Sequence, residues 1–233
     1  MKYLFVFAHP DDETVACAGT IKRLTENGDQ VYLILATAGE AGEVMKPAQD
    51  NLKKLGSVEK LRKQELKAVT KHLGLEKCII LKHKDGKITN QAVWGKLRED
   101  IISQIEIIKP DVVITFDHTG WYYHLDHVGT SIATTLAYQQ SIHRPQALLF
   151  SHYQPGGSKW KYIFRPTPAT HHVIIEDIEH KLKAIDAHIS QDLTTPRSYV
   201  RSQKPSLEFY ELAMADERGS TLFINHPIFN TAK

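Results

Sequence analysis

The 233-residue chain has only two cysteines, Cys17 and Cys78, each in an apolar context. Two thiols so placed argue against a disulfide framework and fit buried side chains in a reducing compartment, so a cytoplasmic setting is expected. No run approaches the ~18 apolar residues that a membrane span requires, so no membrane insertion is expected. The apolar opening YLFVFA (Tyr3 to Ala8) is shorter than a signal-peptide core and stops at His9, and it reads as a strand. Charge of one sign is also missing. With 29 Lys and Arg against 27 Asp and Glu, the net charge is +2, far from the basic footprint of a nucleic-acid partner. The densest basic group, KLRKQELK (Lys60 to Lys67), is interrupted by Glu65 and reads as a solvated helix face. No G-x-G-x-x-G follows the first strand, so the glycine turn that cradles dinucleotide phosphates is lacking. Internal repeats, low-complexity tracts and clear linkers are absent, and a single domain over residues 1–233 is expected.

What is present is an alternation of apolar runs and amphipathic stretches. Strands are expected at Tyr3 to Ala8, Val31 to Thr37, Cys78 to Leu81, Val112 to Phe116, Ala147 to Tyr153 and His171 to Glu176. Helices are expected from about Asp12 to Asn27 with Gly28 as C-cap, between a Ser57 cap and Gly74, and over Gln91 to Ile108, Val128 to Ser141 and Ile178 to His188. Strand–helix alternation over at least four cycles predicts an α/β fold: a Rossmann-like, mostly parallel sheet with helices on both faces. Ligands in such sheets bind beyond the carboxyl ends of the strands. That rule brings HPDDE (His9 to Glu13), TAGEAG (Thr37 to Gly42) and DHTGWYYHLDH (Asp117 to His127) to one crevice. The glycine- and proline-rich stretch from Pro155 to Pro168 is the expected lid or loop.

Proline and acids in a first helical turn suit the helix dipole, so HPDDE can be a helix start and nothing more. That reading leaves His9 unexplained, because histidine has no capping advantage over Ser or Asn. A strand-end histidine and an acid three positions on can both face the crevice, with the intervening acid free beside them. His9 and Asp12 then suit a divalent metal, and Asp11 is within reach of a bound water. A catalytic zinc takes a third protein ligand. The pair His124 and His127, three apart at a helix start after the fourth strand, supplies it, and Asp126 between them can accept an imidazole N–H.

AHPDDE followed by H-x-D-H after KPDVVIT (Lys109 to Thr115) closely resembles the family of metal-dependent N-deacetylases named after the phosphatidylinositol-glycan L enzyme and the LmbE proteins. Further matches are TAGEAG, Arg62-x-x-Glu65-x-x-Ala68, Leu73-Gly74, Asp85-Gly86 and Lys183 to Gln191. The resemblance implies a zinc enzyme that removes acetyl from an N-acetylglucosamine-type substrate. It implies His9, Asp12 and His127 as ligands, Asp11 as general base, protonated His124 steadying the oxyanion, and Tyr122 in an assisting role. Leu125 stands where members commonly have proline, which affects loop rigidity more than chemistry. Donors of this kind suit Zn²⁺ and Fe²⁺ alike.

Glu40, Arg62 and Asp85 are candidate substrate contacts, with a solvated loop acid and a structural ion pair as the competing readings. His188 is expected in a structural hydrogen bond and Cys17 in the core. The partner is expected to be a small N-acetylated sugar conjugate whose aglycone is selected by loops at Glu43 to Ser57 and Gln154 to Pro168. Lack of a membrane anchor argues against a phosphatidylinositol substrate. Two rivals remain: a metal hydrolase acting on another N-acyl amine, and a non-catalytic metal- or ligand-binding protein.

Overall fold

Tyr3 to Phe7 is buried without a break, and its side chains divide between two cores by the period of two that a strand imposes. Tyr3, Phe5 and Phe7 face one core, and Leu4 and Val6 face the other. Strand β1 (Lys2–Phe7) is therefore central, covered on both sides. The structure is a computed structural model that describes residues 1–153 and 168–231. The expected lid from Pro155 to Pro168 lies, Pro168 apart, outside the described residues.

Parallel pairing joins β1 to β2 (Gln30–Leu35) and to β4 (Val112–Phe116), β2 to β3 (Lys77–Ile80), and β4 to β5 (Ala147–His152). Helices α1 (Asp12–Glu26) and α3 (Val58–Leu73) cover one face, and α4 (Gln91–Ile108) and α6 (Leu125–Gln140) the other. Full burial of one Leu, Ile or Phe stabilises by about 1.5–3 kcal/mol, so these two layers dominate stability. The boundaries follow local chemistry. Ser57 Oγ accepts from Lys60 N at 3.3 Å to start α3, and Gly74 ends it at φ 75°.

The sequence reading ends short of the real sheet. The order is β3-β2-β1-β4-β5-β7-β6-β8, with β7 (Ser206–Ala215) inserted antiparallel between β5 and β6 (His171–Ile175), and β8 (Asn230–Thr231) at the edge. The loop expected from Glu43 to Ser57 contains a 3₁₀ turn, Lys46–Ala48, and helix α2 (Gln49–Leu55). Helix α5 (Gly120–Tyr123) is a single kinked turn ahead of α6. After α7 (Ile178–Asp186) come α8 (Thr194–Ser202) and α9 (Glu217–Ile224). Strand neighbours diverge between β1 and β4, so the crevice at their carboxyl ends is the topological switch point.

The chain's end is pinned to its beginning by His226. Its Nδ1 accepts from Ile228 N and Phe229 N at 3.1 and 3.3 Å, so the proton sits on Nε2, which donates to Tyr3 Oη at 2.8 Å. Burial, with the nearby His171 and N-terminal amine, lowers His226 to about 4. An unfolded histidine titrates near 6.5. Between those values the unfolded chain binds a proton that the folded chain does not, so stability present at neutral pH is lost as pH falls. We expect this residue to contribute about 1 kcal/mol of lost stability from about pH 7 to about pH 5, allowing for solvent screening. Urea unfolding at both pH values checks it: the loss should shrink in His226→Gln, and an unchanged loss would place the effect elsewhere.

Candidate active site

Two strand ends bring the ligand-type residues together. His9 follows β1, and Asp12 opens α1. The Asp12 carboxylate turns back to accept Ala8 N at 3.2 Å and His9 N at 2.8 Å through Oδ2. From the β4 side, His127 Nε2 lies 3.2 Å from Asp12 Oδ1. His127 Nδ1 donates to Gly120 O at 3.3 Å, which fixes the ring with Nε2 toward Asp12. Gly120, at φ 57°, is required there: a Cβ would meet His127 Cβ and Val128 N at 2.8 Å.

His9 is gripped from its other side. Its Nε2 lies 3.0 Å from Asp85 Oδ1 and 3.4 Å from Asp126 Oδ2, and its Nδ1 is 3.6 Å from Asp12 Oδ2. Asp126, expected to orient an imidazole by accepting its N–H, reaches that of His9. Asp126 also accepts Gly86 N at 2.6 Å and Ile88 N at 3.1 Å, which ties the 85–88 loop to the site. Burial would lower His9, but Asp12, Asp126 and Asp85 raise it well above the ordinary imidazole range. Burial would likewise raise Asp12, and His127 and His9 outweigh it, holding the carboxyl far below the usual range.

These residues fit a divalent cation. Ring nitrogens of His9, His124 and His127 lie within 4.8 Å of one another, and His124 Nδ1 is buried with no hydrogen-bond partner among the described residues. Imidazole nitrogens and a carboxylate converge from two strand ends, a donor set that a divalent cation takes. His9 with Asp85 and Asp126 forms a second close group, but their oxygens already hold backbone amides of Ala41, Gly86 and Ile88.

Asp11 differs from Asp12 in kind. It occupies the N-cap of α1 yet makes no side-chain cap bond. The helix-start reading therefore does not account for it. Burial and the neighbouring Asp12 push its carboxyl up to about 7, against the pull of Arg62, His188 and His9. Burial, His127 and His9 lower His124 to about 4, so its imidazole is neutral at neutral pH, where a protonated ring had been expected. The physical reason is burial first, and then two imidazoles close by: His127 stacked with its ring centre 4.4 Å away and His9 edge-on at 5.0 Å.

A cleft of ≈ 460 Å³ opens at Asp11 and Asp12, walled by Trp121, Tyr122, Tyr153 and Leu193. Tyr122 is 42% exposed, with its ring against His124 and His127. Arg62, Glu40 and Asp85 are not among the lining residues. Arg62, 4% exposed, lies 3.6 Å from Asp11 Oδ2 and packs so closely on Gly39 that a Cβ at that φ 67° glycine would strike its guanidinium. Glu40 accepts Asp85 N at 2.9 Å, and Asp85 accepts Ala41 N at 2.9 Å, so the two acids pin their loops together. The sequence reading missed Tyr153, Leu193, Thr195 and Pro196 as wall residues. The available signal was Asp192 two residues before Thr194, with Pro196 following, an Asx-turn pattern that the structure closes by the Thr194 N to Asp192 Oδ1 bond.

A family model described as "PIG-L: GlcNAc-PI de-N-acetylase" matches residues 4–138. The 1D-myo-inositol 2-acetamido-2-deoxy-alpha-D-glucopyranoside deacetylase of Actinosynnema mirum is 33% identical over 156 residues, 58% of this chain and 54% of its own. The chain thus spans about half the length of the inositol-linked curated relatives it matches. A probable N-acetyl-alpha-D-glucosaminyl L-malate deacetylase 2 of Bacillus anthracis is 30% identical over 197 residues, 82% of this chain and 81% of its own. Among solved structures, the N,N'-diacetylchitobiose deacetylase of Pyrococcus horikoshii superposes with a TM-score of 0.68 at 22% identity, covering 97% of this chain and 86% of that one, a likeness of fold.

Proposed function

The chain belongs to the PIG-L family, and from that membership we propose that it is a metal-dependent N-deacetylase, one domain over residues 1–233, converting the acetamide of an N-acetylglucosamine-type conjugate to amine and acetate. The observation that carries the reading is the opposite surroundings of two consecutive acids: Asp12 lies 3.6 Å from His9 Nδ1 and 3.2 Å from His127 Nε2, while the Asp11 carboxylate makes no cap bond and borders the cleft, placed to act as a general base.

His9, Asp12 and His127 would hold the ion, Zn²⁺ or Fe²⁺ by donor type. When bound, such an ion acidifies water and polarises a carbonyl. Asp11 takes a proton from the attacking water at a carboxylate oxygen. As the carbonyl carbon becomes tetrahedral, neutral His124 offers an N–H to the oxygen that gains charge. The C–N bond then breaks, and Asp11 returns its proton to the amine nitrogen. Trp121 and Tyr153 wall the sugar, and Tyr122 lies in the same wall with its ring edge-on to His124 and His127. Cysteines that are free and at least half-buried support a cytoplasmic setting. Separately, no helix among the described residues is long and apolar enough to cross a membrane.

Acetate release from a panel of N-acetylglucosaminides, by protein stripped of metal and reloaded with Zn²⁺, tests the proposal. Metal-dependent release is expected. Release only from N-acyl amines other than sugars would move the substrate class, and none from any substrate with metal bound would favour a binding protein.

A further inference from the structure

The last acid of HPDDE and the histidine of AHISQ (Ala187 to Gln191) take no part in the reaction above, yet they meet beside the base. The side chains of Glu13 and His188 are fully buried. His188 Nε2 donates to Glu13 Oε1 at 3.1 Å, and Glu13 Oε2 accepts Asp11 N–H at 3.1 Å. Asp11 itself has φ 119° and ψ −28°, a conformation L-residues rarely adopt and one that persists only where its surroundings enforce it. On the far side of the residue, Asp11 O accepts Thr14 N at 2.9 Å and Val15 N at 3.0 Å. Its two peptide units are thus held, while its carboxylate makes no cap and borders the cleft.

His188 is in turn fixed by its own segment. Gln191 N donates to His188 O at 3.0 Å, and Ser190 N and Oγ donate to Glu65 on α3 at 2.9 and 2.6 Å. We propose that Glu13 and His188 are positioning residues: their buried pair clamps the Asp11 amide, holds the strained turn, and so aims the Asp11 carboxylate at the reacting water. The inference rests on reading Asp11 as the base of a deacetylase.

Glu13→Ala should lower kcat by roughly 10- to 100-fold, with KM and metal stoichiometry unchanged. Glu13→Gln, whose amide oxygen still accepts the Asp11 N–H, should recover most of that loss. In an Asp11→Asn background, Glu13→Ala should remove nothing further, because both act through one group. Equal losses in both backgrounds, or a Glu13→Ala kcat within about twofold of the parent's, would overturn the proposal. Hydrogen exchange at the Asp11 amide gives a reading that does not depend on turnover. It should be slow in the parent and in Glu13→Gln and at least ~10-fold faster in Glu13→Ala. Equal protection in all three would overturn the clamp. A protected amide with no acetate released by the parent would instead sink the deacetylase reading alone. Should Glu13→Ala fail to melt cooperatively, His188→Ala carries the kcat comparison in the parent and Asp11→Asn backgrounds, and equal losses in both, or a kcat within about twofold of the parent's, would overturn the proposal.

Discussion

Asp11→Asn is expected to retain metal and fold while kcat falls by ~10²–10⁴-fold, the usual contribution of positioned proton transfer. Asparagine is the right replacement because it tolerates left-handed backbone better than other non-glycine residues, so the φ 119° turn survives. The substitution keeps the shape of the side chain and its contact with Arg62, 3.6 Å away, but removes the group that can take up a proton. Metal content by elemental analysis, thermal unfolding and acetate release separate the cases. Full metal with lost turnover supports the base assignment. Full metal with turnover intact assigns the base elsewhere, and lost metal makes Asp11 part of the ligand set.

The largest stability effect is expected where β7 meets α1 and α7. Lys181 Nζ lies 2.6 Å from Glu208 Oε1, with side-chain exposures of 4% and 1%. The same carboxylate accepts Gly19 N at 2.9 Å, Thr20 N at 2.7 Å and Thr20 Oγ1 at 2.6 Å. Glu208→Ala strands a buried ammonium and three donors together, and breaking such a pair costs about 3–5 kcal/mol. At about 2–4 °C per kcal/mol for a chain of this size, Tm should fall by roughly 6–20 °C. Lys181→Met with Glu208→Leu, which removes both charges, should recover much of the loss in urea unfolding. A Glu208→Ala loss under about 1 kcal/mol would mean that water reaches the pair.

The same glutamate explains part of what the sequence hid. In β7 the inward positions are Ser206, Glu208 and Tyr210, while Leu207 and Phe209 lie only half-buried, so polarity alternates opposite to burial. A reader of apolar periodicity therefore passes over the strand. Helix α2 buries none of its residues, and with no apolar face it offered no helical period. By contrast, β1, β2, β4 and β5 each carry a run of at least three consecutive apolar, mostly buried residues, and the helices of both faces carry clear stripes with Ser57 and Gly74 as punctuation. The cluster of His9, Asp12, His124 and His127 was legible because strand ends in a parallel sheet converge. Which imidazole Asp126 holds, and that Glu40 and Asp85 bind each other's loops, depend on contacts 38 to 117 residues apart. No local pattern encodes such distances.

The family match ends at residue 138, but the part of the chain that follows is not a detachable accessory. His188 reaches back to Glu13, Glu208 to Gly19 and Thr20, and Arg23 reaches forward to Ile174 O at 2.9 Å. Recombination between relatives at the matched boundary would therefore join halves whose buried polar partners have to correspond one by one. Hybrids that exchange the carboxyl-terminal half for another substrate preference should work only when the first helix is exchanged along with it.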